Sequence, residues 1–68
     1  GSPELAITPL RAAVAAQPEN PEYLYHLGAA YALKKDLVNA RLTLEKALRV
    51  RPGFPGAEEA RRILGSLK

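Results

Sequence analysis

Few side chains in this sequence can do chemistry, and their spacing does not assemble a reaction centre. His26 is the only histidine and there is no cysteine. A metal site needs several ligands converging on one point, and a lone imidazole does not supply them. No Ser or Asp stands at a spacing that pairs a nucleophile with a base. His26 follows Glu22 by one helical turn, and the pair reads as solvated or structural rather than catalytic. Gly53-Phe54-Pro55-Gly56 is glycine-rich, but it lacks the Lys-Ser/Thr ending and the preceding strand of a phosphate loop. Phe54 is expected instead to plug the core between the helix before it and the helix after it. No metal, cofactor or catalytic residue is implied.

Charge carries a second kind of chemistry. The net charge is +3, from 10 Lys and Arg against 7 Asp and Glu. Arg41, Lys46, Arg49, Arg51, Arg61 and Arg62 could form a basic stripe. Nucleic-acid binding would need them on one face with stacking aromatics between them. Phe54 is the only aromatic nearby, and Glu45, Glu58 and Glu59 interrupt the run, so a solvated surface is the expected reading. No apolar run approaches the roughly 20 residues of a membrane span, and no membrane partner is expected. The absence of cysteine gives no evidence for an oxidising compartment and excludes none.

The elements that position these residues are marked by punctuation. Asn20-Pro21-Glu22 reads as N-cap, N1 and N2 of a helix running to about Leu33, with Lys34 and Lys35 at its negative end. Asp36 caps the next helix, to about Val50, and Glu45 and Arg49 form an i,i+4 pair on it. Pro52-Gly53 stops that helix. Pro55 is expected to open a further helix and Gly65 to end it. The first segment has two starts, Ser2-Pro3-Glu4 and Thr8-Pro9. It is either one kinked helix from Pro3 to Ala16 or a shorter one beginning at Pro9; an interior proline costs about 3 kcal/mol. Apolar residues recur at three and four, never at two, so no strand is expected. The fold class is all-α, with three to four antiparallel helices.

A 34-residue interval separates Pro18 from Pro52, Ala6 from Ala40, Leu10 from Leu44 and Ala13 from Ala47. A fixed period of that length marks stacked helix-turn-helix units. Within one period stand Leu24, Leu27, Gly28 and Tyr31, then Ala40, Leu44 and Ala47, then Pro52. This pattern resembles the tetratricopeptide repeat, with Leu24 in place of the commoner Trp. The spacing also has its own physical logic. Gly28 and Ala40 are small enough to let two helices cross closely, while Leu24, Leu27, Tyr31, Leu44 and Leu48 fill the space beside the crossing.

The whole chain, 1–68, reads as one such domain. Residues 3–20 match the second helix of a preceding repeat, 21–54 form one complete repeat, and 55–68 form a C-terminal capping helix. The last helix carries one apolar stripe of Ala57, Ala60, Ile63, Leu64 and Leu67. Charge stands on it where a further helix would dock, so it reads as the solvating end of an array. The first helix is expected to expose Ala6, Leu10 and Ala13, the face that would have met a missing helix.

The resemblance implies a non-catalytic scaffold that binds a protein or peptide partner on a concave surface lined by first helices. In this sequence that surface would comprise Glu22, Tyr25, Ala29, Ala32 and Leu33, with Glu59, Ile63 and Ser66 from the capping helix. The Lys, Asn and Arg clamp that chaperone-binding members use for a terminal carboxylate is absent: Tyr25, His26, Ala29, Leu33, Gly56 and Ala60 stand there. The alternative function is assembly, either capping a longer array or homodimerisation through the first helix. Nucleic-acid binding is the more distant alternative. The Ala-, Arg- and Pro-rich composition is compatible with a bacterial origin.

Overall fold

A computed structural model describes residues 3–67. Four helices follow one another: α1 (Pro3–Ala16), α2 (Pro21–Lys34), α3 (Leu37–Val50) and α4 (Ala57–Ser66). No strand occurs among the described residues. The slab they form measures 30 × 28 × 18 Å. Its thin dimension is about two helix diameters, which is the depth of a two-layer helical packing. The helix α2 is central: it packs most extensively on α3, then on α1, and it touches α4. Among the described residues α1 packs on α2 alone.

The start of α2 follows its punctuation. The Asn20 side-chain oxygen accepts from the Glu22 and Tyr23 N–H groups at 3.0 and 3.2 Å, satisfying donors that a helix start leaves open. The other end closes tightly. Lys35 takes a left-handed conformation at φ 71°. The Lys35 N–H donates to Ala32 O and the Asp36 N–H to Tyr31 O, at 3.0 and 2.9 Å. Asp36 then caps α3 at once, accepting from the Asn39 N–H. The result is an antiparallel hairpin with almost no linker.

Its core is the close crossing. A β-carbon on Gly28 would lie 2.6 Å from Leu44 Cγ and 2.7 Å from Leu44 Cδ2, inside any tolerable contact. Leu44, Ala40 and Ala47 are fully buried. Leu24, Leu44 and Ala47 continue into Phe54, Ala57 and Ala60, so one cluster runs from α2 through α3 into α4. A smaller one, Ile7, Leu27 and Ala30, joins α1 to α2.

Four sequence expectations are corrected. Pro55 does not open α4: Gly56, at φ 104°, is the N-cap, and the helix starts at Ala57. Phe54 is buried beneath this turn, and a β-carbon on Gly56 would press on Phe54 and Tyr25 at 3.2 and 3.3 Å. Gly65 lies inside the last turn rather than ending it. Leu10 is not left on an outer face; it is half-buried against the Ile7–Leu27–Ala30 cluster, whereas Ala6 is exposed. The two-start segment is one helix with Pro9 inside it. The proposed start at Ser2 lies outside the described residues. Glu45 and Arg49 share no ion pair. The ion pairs among the described residues are Lys34–Glu4, Lys46–Glu19 and Arg62–Glu59.

Candidate protein-interaction surface

The surface is built on the side of α2 that its packing leaves free. Leu24 and Gly28 face α3, and Leu27 and Ala30 face α1. At 100° per residue the opposite side carries Glu22, His26, Ala29 and Leu33 in one stripe. Glu22, His26 and Leu33 are exposed and Ala29 is half-buried. Leu33 is 74% exposed. Isolated exposed leucines are ordinary, but this one ends a stripe flanked by α1 on one side and α4 on the other.

The remaining expected contacts lie toward α4. Tyr25 is half-buried. Its ring stands 6.0 Å from Phe54, tilted by 54°, and 5.1 Å from His26. This aromatic therefore already packs on the α3–α4 loop and offers only one side to solvent. Ala32 is half-buried beside it in the helical order. On α4, Ile63 packs against the main core, and Glu59 accepts a hydrogen bond from Arg62 at 2.8 Å. The Ser66 hydroxyl is turned back to Ile63 O at 2.7 Å. Of the expected set, Glu22 and Leu33 carry the most available chemistry: a carboxylate with no ion pair among the described residues and an unpacked aliphatic side chain.

Sequence reasoning missed one exposed apolar pair. Val38 and Leu42, one turn apart on α3, are 71% and 59% exposed. The signal was present, because both lie opposite Ala40, Leu44 and Ala47 on the helical wheel.

His26 touches Tyr25, and among the described residues no three His, Cys, Asp or Glu side chains gather into a metal-holding group. The candidate basic stripe is partly spent inside the molecule. The Arg61 guanidinium donates to Pro52 O at 2.7 Å, and Arg62 and Lys46 are in ion pairs. An open depression of about 660 Å³ lies at the loop end of the bundle, bordered by Pro18, Pro21, Val50, Arg51 and Pro55. Glu22 is the one candidate contact on its rim. No helix among the described residues is long and apolar enough to cross a membrane.

The titration of Asp36 is displaced. Hydrogen bonds from the Asn39 side chain and backbone hold its carboxyl below the ordinary value of 3.8. This is a capping effect at the start of α3.

The chain matches no family model, no curated protein and no solved structure.

Proposed function

We propose that this chain is a non-catalytic interaction module of the tetratricopeptide type, which holds a protein or peptide segment on the outer face of α2. The face comprises Glu22, Tyr25, Ala29, Ala32 and Leu33, with Glu59 and Ile63 at its α4 border. The 34-residue period and the Gly28–Leu44 crossing support the repeat reading. The observation that carries the binding reading is Leu33, 74% exposed at the end of a stripe set between two flanking helices. An exposed aliphatic group beside half-buried alanines offers apolar area for a partner to cover.

Association through α1 has less support, because Leu10 packs inward on α2 and Leu5 is left as the exposed large aliphatic of that helix. Nucleic-acid binding has less still, since Arg61 and Arg62 are already engaged.

The test is selection of peptides from a display library on the folded protein. Selected peptides should lose about tenfold or more in affinity against Leu33→Asp, and less against Tyr25→Ala, whose ring is partly committed to Phe54. Peptides that bind wild type and Leu33→Asp equally would place the docking surface elsewhere.

A further inference from the structure

The geometry points to a particular occupant for the α2 stripe: the outer face of α3 in a second copy of this chain. The inference rests on the reading of α2 as a docking surface and names its partner.

Two outward-facing stripes in this molecule, exposed except for the half-buried Ala29 and Glu45, have the same spacing. On α2 it is Glu22, His26, Ala29 and Leu33. On α3 it is Val38, Leu42, Glu45 and Arg49. Each steps by four, three and four residues, so each covers about 16 Å of helix at about 1.5 Å per residue. Laid antiparallel, the stripes match position by position. Glu22 meets Arg49 and His26 meets Glu45. Small Ala29 meets large Leu42, and Leu33 meets Val38. Among the described residues Glu22, Glu45 and Arg49 make no ion pair, so their charges are available to a neighbour. Val38, Leu42 and Leu33 are three of the four large aliphatics left exposed; Leu5 is the fourth.

Other arrangements of the same stripes fail. Laid parallel, α2 on α3 sets Glu22 against Val38 and Leu33 against Arg49. Antiparallel α2 on α2 sets Glu22 against Leu33, and antiparallel α3 on α3 sets Val38 against Arg49. The parallel self-pairings oppose like charges, Glu22 to Glu22 and Arg49 to Arg49. Complementary charge fixes register and orientation more than it adds affinity, and here it selects one arrangement.

The arrangement also dictates the kind of assembly. The α2 stripe points away from Leu24 and Gly28, and the α3 stripe points away from Ala40, Leu44 and Ala47. Those buried residues face one another, so the stripes leave the hairpin on opposite sides. One copy cannot satisfy both stripes of the same neighbour. The contact is heterologous, and growth is head-to-tail and open-ended.

The test is sedimentation of the full chain from micromolar to millimolar concentration, for wild type, Leu33→Asp, Leu42→Asp and an equal mixture of the two variants. Both positions are exposed, and a thermal melt confirms that each variant is folded. Wild type should grow past a dimer and should associate less at high salt, where the charge pairs are screened. Each variant alone should associate at least about tenfold more weakly. The mixture should stop at a one-to-one dimer, because it contains one intact α2 stripe and one intact α3 stripe. A wild type monomeric throughout, a plateau at the dimer, or association untouched by Leu42→Asp would overturn the proposal. Leu42→Asp also separates it from the broader reading, since that change lies off the α2 face. If wild type stays monomeric while peptides still bind through Leu33, the second copy falls and the docking surface stands. If neither association nor Leu33-dependent peptides are found, both fall.

Discussion

The two sides of α2 are held by different means. Toward α3 it meets a helix at a crossing with no spare volume, where Gly28 faces a fully buried Leu44. Both helices there begin on side-chain caps, Asn20 and Asp36. Toward α1 it meets a helix with Pro9 inside it, a single buried residue, Ile7, and no packing on α3. Val14 is the one α1 side chain that packs against both clusters. One interface specifies the fold, and the other adds to it. Local stability follows local packing, so α1 is the helix expected to open first.

The largest effect expected from breaking this difference is at Gly28. Stability for a chain of this length is about 3 to 10 kcal/mol. Gly28→Leu would force the α2–α3 crossing apart, because Leu44 is enclosed and has nowhere to move. The cost should be about 3 kcal/mol or more, enough to abolish a cooperative melt near the lower end of that range. Gly28→Ala should cost less but remain destabilising, since even one methyl group would fall 2.6 Å from Leu44 Cγ. A Gly28→Leu variant that melts like wild type would mean the crossing is not the specifying contact.

A change on the other side sharpens the contrast. Pro9 removes one backbone hydrogen bond from α1 and crowds the preceding turn. Pro9 is exposed, so Pro9→Ala should relieve the helix without disturbing the packing. The expected gain is up to about 3 kcal/mol of local stability, read as increased amide hydrogen-exchange protection across α1. Protection in α2 and α3 should change little. Equal gains in all helices would mean that α1 and the hairpin open as one unit.

How legible each region was in the sequence follows the same division. The hairpin was legible because its constraints are local or steric. Asn20 and Asp36 announce caps, and small residues at 28 and 40 announce a close approach. The path into α4 was not, since Pro55 is a good first helical residue in isolation. Burial of Phe54 and the positive φ of Gly56 delay the helix to Ala57 instead. The orientation of α1 was obscured because Ala6, Leu10 and Ala13 fit one repeat face while Ile7, Leu10 and Val14 fit another, and Leu10 belongs to both. On the candidate surface, Leu33 was legible as an unpartnered position. The occupation of Tyr25 by Phe54 was not, because it depends on where the loop returns. Val38 and Leu42 carried a readable signal, opposite Ala40, Leu44 and Ala47 on the helical wheel, but α3 has apolar residues on several sides and α2 decides which of them turn inward.

The smallest effect concerns the two caps, which do the same work with different chemistry. Asn20 carries no titratable group, whereas Asp36 accepts from the Asn39 side chain and N–H at 2.8 and 3.3 Å as a carboxylate. Those bonds lower its folded pKa below 3.8. A carboxyl lowered on folding contributes its stability above the unfolded value and loses it as pH falls through the folded value. Acid should therefore loosen the start of α3 through Asp36 while leaving the Asn20 cap at the start of α2 intact. Asp36→Asn keeps a capping oxygen and removes the titration. The melting temperature of wild type minus that of Asp36→Asn, followed from neutral pH downward, should be constant to near 3.8 and then shrink. Asp36 is only half-buried and its carboxyl is reached by solvent, so the change should be small. A difference that stays flat to the lowest pH at which both proteins remain folded would show that the Asp36 charge adds nothing to the cap, and that the two helix starts are equivalent despite their chemistry.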